Sequence, residues 1–318
     1  MGETARKERG GTVGAVLIKR LLAAIVVIWG VVTMVFVILR VLPGDPAALA
    51  LGVEATPEAL ALLRHQMGLD RPIPVQYAVF LWDVARGNFG ASLDLGEPAM
   101  RLILDRVPAT MQLALPALLL AVVVALPLGV VAAIRANSLW DRLISVLTLG
   151  AQSMPNFWIG LMLILILARD WGWLPTSGRG TWQQMVMPVV TLAFPLLSVL
   201  SRFVRAGMLE NLRMDYVRTA RAKGVKDVVV YYRHVFKNML IPVVTTLGLQ
   251  AGTLLGGSVV VETVFAWPGM GRLTADAILR RDYPVVQAGV LMIALIIVLV
   301  NLTVDLVYSA LDPRIRFH

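Results

Sequence analysis

The residue types that most often do chemistry in enzymes are scarce in this chain. It contains no cysteine, which excludes thiol catalysis, disulfides and cysteine-ligated metal or iron–sulfur sites. Its three histidines, His65, His234 and His318, lie in predicted polar segments, and none pairs with a serine or carboxylate inside an apolar run. No phosphate-binding loop of the GxxxxGKS or GxxxxGKT type occurs. We therefore predict no catalytic residue, no metal site and no cofactor bound by this chain.

A basic segment, DYVRTARAKGVKD at residues 215–227, is the most prominent charged feature. Asp215 is predicted to cap a short helix from Tyr216 to Lys223, with Gly224 just beyond it and able to take a positive φ. Asp227 is predicted to cap a second helix that runs into the next apolar run. The sequence thus indicates two short helices that turn at Gly224.

Two interpretations of this segment remain open on the helix signals alone. Small residues at Ala220 and Ala222 would let a partner approach closely, and the surrounding basic side chains suit an acidic-rimmed groove. Alternatively, the segment is a solvated loop that also touches anionic lipid.

Polar and small residues within or beside the apolar runs are candidates for a transport pathway or a helix interface. Asn301 and Asp305 are i, i+4 neighbours, and a charge inside a membrane span is a functional candidate by default. Pairing of Asp305 with a nearby basic loop residue is the interpretation we favour. Glycines in a GxxxGxxxG pattern allow helix backbones to approach, within this chain or across an interface. The full candidate set is Gly248, Gln250, Gly252, Gly256, Glu262, Asn301 and Asp305.

The positions of these residues depend on membrane-spanning elements. The mean hydropathy is +0.76 and only 15% of residues are charged, which is typical of an integral membrane protein. A run of about 20 apolar residues spans a bilayer. Six runs qualify: Leu21–Leu39, Thr110–Ile134, Leu143–Ala168, Met185–Phe203, Ile241–Val261 and Val285–Tyr308. Prolines favour kinks within these runs, and they include Pro116, Pro127, Pro155, Pro188 and Pro195.

The distribution of charge predicts the orientation. With the N-terminus inside, the cytoplasmic segments hold 18 Lys/Arg, if Arg202 at the cytoplasmic end of the fourth run is included, and seven acidic residues, whereas the other side holds 11 basic and 12 acidic residues. Because basic residues concentrate on the cytoplasmic side, both termini and the 215–227 segment are predicted to be cytoplasmic. The long outer segment, residues 40–109, is predicted to form a small helical cap. In it, Thr56 caps a helix that begins at Pro57 and stops at Gly68.

The stretch DYVRTARAKGVKDVVVYYRHVFKNMLIPVV resembles the cytoplasmic loop of permease subunits in binding-protein-dependent ABC importers, and more narrowly the dipeptide, oligopeptide and nickel permease subfamily. Further segments follow the same pattern in order: RVLPGDP, GLDRPIPVQY, GWLPTSGRG, VVETVFAWPGMGRL, ILRRDYPVVQ and LDPRIR. The similarity covers nearly the whole chain. One departure is that Arg218, Thr219 and Ala220 occupy the Glu-Ala-Ala positions of the general importer loop.

This resemblance implies an all-α integral membrane protein with six transmembrane helices, a type I importer permease core and an extracytoplasmic helical cap. The implied segments are a cytoplasmic 1–20, a first span 21–39, a cap 40–109, a five-helix core 110–310 with a coupling loop 204–240, and a cytoplasmic tail 311–318. The implied ATPase-coupling residues are Asp215, Tyr216, Val217, Arg218, Thr219, Ala220, Arg221, Ala222, Lys223 and Gly224. The loop that Glu262 opens is implied to line the outer mouth and to receive the binding protein.

The resemblance further implies ATP-driven import of short peptides across a bacterial inner membrane. The implied partners are a second, homologous permease, two cytoplasmic ATPases that bind ATP and Mg, an extracytoplasmic solute-binding protein and the lipid bilayer, without nucleic acid. Import of nickel or glutathione by the same architecture is an alternative. So is an ion-coupled secondary transporter, although that class favours midplane carboxylates and inverted repeats, for which the sequence offers one off-centre Asp305 and no evident repeat.

Overall fold

The structure, a computed structural model, describes residues 2–41, 46–51, 56–66 and 68–311 of the 318. Regular structure in these ranges is helical, apart from a single isolated β-bridge between Ala91 and Pro98. The motif RVLPGDP lies partly, and LDPRIR almost wholly, outside the described residues. The described part of the chain divides into two compact units.

The first unit contains residues 1–107 and 273–298. Its helices are α1 (Gly2–Val41), α2 (Pro46–Leu51), α3 (Pro57–Gln66) and α4 (Ile73–Ala85), followed by the beginning of α5 (Ala99–Ile134). It also holds most of α12 (Met270–Arg280) and the first half of α13 (Tyr283–Leu311). Thr56 caps the start of α3 as predicted, because its Oγ1 accepts a hydrogen bond from the Ala59 N–H at 3.3 Å, and Gly68 beyond the helix has φ +64°.

Of the described residues, the second unit contains 108–272 and 299–311. It comprises the rest of α5, then α6 (Leu139–Ser153), α7 (Asn156–Leu163) with a π-helical continuation (Ile164–Asp170), α8 (Trp182–Leu212), α9 (Asp215–Ala222), α10 (Asp227–Val229), a π-helical segment (Val230–Val235) and α11 (Phe236–Val264). Helices α8 and α11 pack along each other and enclose an apolar core with α9 at its end.

Within the described residues, four helices are long and apolar enough to cross a membrane, and two bent pairs bring the number to six if each pair is one span. The predicted third span, Leu143–Ala168, is not one straight helix, because α6 and α7 meet at 105°. Met154 has an extended backbone, and Pro155, which lacks an N–H, follows it. Helix α11 bends by 43° between Gln250 and Gly252.

Candidate functional site

Helix α9 has the predicted length but different ends. Asp215 is not the cap: Met214 occupies that position with an extended backbone, and Asp215 is the first helical residue, its side chain 97% exposed. The helix ends at Ala222, with Lys223 as the C-terminal cap. Gly224 has φ +74°, as predicted, which lets the chain reverse at low cost.

The segment after the turn also differs from the prediction. Lys226, rather than Asp227, precedes the helix that begins at residue 227. That helix continues through the π-helical segment into α11, so it is the end of a membrane-spanning element and not a separate short helix. Consequently α9 is connected on both sides to long helices, to α8 by Arg213 and Met214 and to α11 through the turn at Gly224.

Helix α9 is attached to the bundle by Val217, its one fully buried side chain, with Tyr216 and Ala220 partly buried against the same cluster. Val217 is fully buried in a cluster with Met208 of α8 and Met239 of α11. Beside it, the Tyr216 hydroxyl donates a hydrogen bond to Asn211 Oδ1 at 2.9 Å. Both contacts join α9 to the ends of the long helices α8 and α11.

The opposite face of α9 is exposed and charged. Its exposed residues are Asp215, Arg218, Thr219, Arg221, Ala222 and Lys223. The two small residues differ: Ala222 is exposed, whereas Ala220 packs against the chain's own apolar cluster. The expectation that both would admit a partner is therefore wrong for Ala220.

The charges of this face are partly paired. Arg221 Nε donates to Asp227 Oδ1 at 3.0 Å, and this hydrogen bond raises the pKa of the Arg221 guanidinium. Arg218 lies 3.8 Å from Asp215, a weak contact between two highly exposed groups. With four basic and two acidic residues in 215–227, the face keeps a positive excess that favours an acidic partner surface.

A second group of predicted residues lies at the other end of α11, around Glu262. This side chain is fully buried, and its Oε1 accepts the Thr110 hydroxyl at 2.6 Å. Its Oε2 accepts the Arg272 backbone N–H at 2.8 Å, while Thr110 Oγ1 in turn accepts the Met270 N–H at 3.0 Å. Glu262 therefore fixes the following loop from inside and offers no exposed carboxylate.

The loop after Glu262 is shaped by that carboxylate. A Cβ on Gly269 would overlap the Glu262 carboxylate, and one on Gly271 would lie 2.9 Å from Oε2. The buried Trp267 donates its indole N–H to the Ala109 carbonyl at 2.8 Å. Glycine at these two places lets the backbone approach the buried Glu262 side chain closely.

The remaining pathway candidates are not brought into one site. A Cβ on Gly248 would lie 2.5 Å from Val304 Cγ1, so Gly248 packs α11 against α13, whereas nothing lies within 4 Å of the same position on Gly256. Gln250 and Gly252 are half-buried, and Asn301 is exposed. The side chain of Asp305 lies outside the described residues.

Sequence reasoning missed an ion pair between α6 and α8. Asp141 is buried, and Arg205 donates to its two carboxylate oxygens at 2.6 and 2.8 Å. Next to it, Arg202 donates to Gln152 Oε1 at 2.6 Å. The available signal was the presence of opposite charges at the predicted cytoplasmic ends of neighbouring spans.

Comparisons with known proteins agree with this architecture. Residues 125–317 match the family model "Binding-protein-dependent transport system inner membrane component", and residues 14–114 match the model of the N-terminal region of such membrane components. The chain is 44% identical over 301 residues to the glutathione transport system permease protein GsiC of Salmonella paratyphi A, covering 95% of this chain and 98% of that protein. It is 40% identical over 331 residues to the dipeptide transport system permease protein DppB of Alkalihalophilus pseudofirmus, covering 95% and 99%.

A solved structure shows the same fold. Inward-facing MetNI, a methionine ABC transporter, contains a chain that superposes with a TM-score of 0.56 at 18% identity, covering 67% of this chain and 97% of that one. At this identity the likeness concerns the fold alone. It supports the type I importer arrangement of helices that the sequence resemblance implies.

Proposed function

Because the chain belongs to the family of binding-protein-dependent transport system inner membrane components, we propose that it forms part of the path by which short peptides enter the cell. As an ABC importer permease it is a multi-pass inner-membrane subunit and is not catalytic itself. ATP is used by a separate ATPase, and a binding protein belongs to the same kind of system.

The proposal of a peptide substrate is carried by one observation. Two relatives that align over 95% of this chain are named for glutathione and for dipeptides, and glutathione is itself a short peptide. A di- or tripeptide is therefore the substrate class we propose. Glutathione is the first specific candidate, because GsiC proteins are at least as similar to this chain as DppB is. Nickel import is the remaining alternative.

An uptake assay tests the substrate. The chain and its partner genes are expressed in a host that lacks its own peptide, glutathione and nickel importers, and uptake of labelled dipeptide, glutathione and nickel(II) is compared. We expect uptake of at least one peptide, with loss on ATP depletion and persistence with a protonophore. Uptake of nickel alone would overturn the peptide proposal. Transport that survives ATP depletion and stops with a protonophore would contradict the importer assignment itself.

We further propose that α9, with Gly224, is the coupling helix that docks on an ATPase. Three features support this: the exposed basic face, the single buried anchor at Val217 and the direct connection to α8 and α11. ATP-driven closure of the ATPases moves the spans only if the α9 contacts differ between inward- and outward-facing states. The Asp215–Gly224 face is the surface where we place those contacts.

Co-purification tests this docking. Arg218→Glu and Ala222→Glu each place a negative charge on the exposed face of α9 without entering the apolar core. Lys237→Glu is the control. It makes the same charge reversal as Arg218→Glu, but at an exposed position on α11 instead of α9. We expect the ATPases to be lost from both α9 variants and kept by the control, while the second permease stays in all three. Retention of the ATPases by both α9 variants would refute the docking surface.

The assembly we propose contains this chain, one homologous permease, two ATPases carrying ATP and Mg, and one binding protein, with both termini of this chain in the cytoplasm. The family assignment and the charge distribution support it. Native mass spectrometry of the purified complex measures the stoichiometry. A reporter that is active only in the cytoplasm measures the orientation when it is fused at residue 318 or within the 40–109 segment. We expect the fusion at residue 318 to be active and the fusion within 40–109 to be inactive.

A further inference from the structure

Helix α4 has an exposed face that is wholly apolar. Val75, Ala78, Val79 and Trp82 recur at helical spacing on this face and are all exposed, Trp82 to 59%. At the end of the helix, the Arg86 guanidinium lies over the Trp82 ring at 4.2 Å from its centroid. A helix surrounded by water exposes mainly polar residues. We therefore expect this apolar face to lie against an apolar neighbour.

The other face of α4 is attached to α1. The Tyr77 hydroxyl and Thr33 Oγ1 are 2.6 Å apart, and the Phe36 ring lies 5.2 Å from Tyr77 and 5.4 Å from Phe80. Above them, Arg40 Nε donates to Gln76 Oε1 at 3.0 Å. These contacts fix the level of α4 along α1.

That level lies inside the membrane-spanning part of α1. The apolar span of α1 is Ile18–Val41, and Thr33 is eight residues before its end, which is about 12 Å at the helical rise of 1.5 Å per residue. A helix that contacts Thr33 and Phe36 therefore lies within the thickness of the bilayer and not outside it. A helical segment tolerates this position because its backbone hydrogen bonds are satisfied internally.

We propose that α4 is an interfacial membrane helix, embedded in the lipid leaflet where α1 ends, with Val75, Ala78, Val79 and Trp82 against the acyl chains. Helix α1 also exposes apolar side chains in this part of its span, among them Met34 and Val37. Trp82 and Arg86 are of the residue types that suit a membrane interface, because aromatic rings concentrate there and guanidinium groups can snorkel towards the headgroups. Helix α3 provides the contrast, because it exposes Glu58, Arg64 and His65.

The absence of cysteine makes the test direct, since a single spin label needs no background substitutions in this chain. Val79→Cys is labelled in the complete transporter and in the isolated chain, both in nanodiscs of phosphatidylethanolamine and phosphatidylglycerol, with partner cysteines replaced. Relaxation by oxygen, which concentrates in lipid, is compared with relaxation by water-soluble nickel(II)–EDDA. Val37→Cys on α1 is the lipid reference and Glu58→Cys on α3 is the water reference.

We expect Val79→Cys to favour oxygen, as Val37→Cys does, at a depth of about 5–10 Å below the lipid phosphates. A preference for nickel(II)–EDDA, like that of Glu58→Cys, would overturn the proposal in favour of a water-exposed cap. Shielding from both reagents in the complete transporter would overturn it in favour of a protein contact. Ala78→Cys, on the same face, repeats the measurement if the first variant does not assemble.

Discussion

The two ends of α11 are held by opposite means. At the 262 end, a buried carboxylate accepts hydrogen bonds from Thr110 and from the loop backbone, and glycines are needed for the fit. At the other end, α9 is fixed by one buried Val217 and presents its charges outward. Many polar contacts inside one end make it a fixed part of the fold. A small apolar contact centred on Val217, with an exposed charged face opposite it, suits an element that receives force from outside.

The largest effect is expected at the carboxylate end. Glu262→Ala would leave the Thr110 hydroxyl and the Arg272 N–H buried without their acceptor, at a cost of about 3 kcal/mol in the free energy of unfolding. Unfolding of the purified chain in mixed micelles, followed by tryptophan fluorescence, measures the loss. Glu210→Ala, which removes an exposed carboxylate, is the control. Equal stability of both variants would break the contrast between the two ends.

A smaller loss is expected from the anchor of α9. Val217→Ala removes two buried methyl groups and should cost about 2 kcal/mol, less than Glu262→Ala because no polar group loses its partner. Binding-protein-stimulated ATP hydrolysis should become uncoupled from uptake, since α9 would no longer be packed against Met208 and Met239. An unchanged ratio of solute transported to ATP hydrolysed would show that the anchor does not transmit force.

The sequence predicted the spanning helices well because long apolar runs have few alternative structures in a membrane. It could not identify which proline breaks a helix. Pro116 and Pro127 lie inside the continuous α5, whereas the chain bends by 105° at Met154 and Pro155. A proline produces a break only where the preceding residue takes an extended backbone, and packing decides that.

The same limit applies to the candidate site. Gly224 and the α9 helix follow from local signals over ten residues and were predicted. The burial of Glu262 depends on Thr110, which is 152 residues away in the chain, so the sequence identified Glu262 only as a candidate for the pathway or a helix interface. Ala220 and Ala222 are the same residue type two positions apart, and only the contact with the core cluster distinguishes the inward one from the outward one.

Two glycines in the middle of α11, Gly248 and Gly256, extend the comparison between its ends. Gly248→Ala would press a methyl group against Val304, a strain of about 1–3 kcal/mol, from which the better helix propensity of alanine subtracts up to about 1. A net loss near 1 kcal/mol is expected. Gly256→Ala meets nothing within 4 Å and should keep or slightly raise the stability of the isolated chain. If Gly256 faces the second permease, Gly256→Ala reduces co-purification of that subunit while the isolated chain is unaffected.

The smallest effect is expected where the charges are exposed. Arg221→Gln removes the hydrogen bond to Asp227, but both side chains are largely in water, so the stability of the chain should not change measurably. The same substitution lowers the positive excess of the α9 face and should therefore weaken ATPase binding, more at low salt than at high salt. Loss of stability without loss of ATPase binding would mean that Arg221 holds the turn at Gly224 together. That result would make the two ends of α11 alike, each fixed by its own polar contacts.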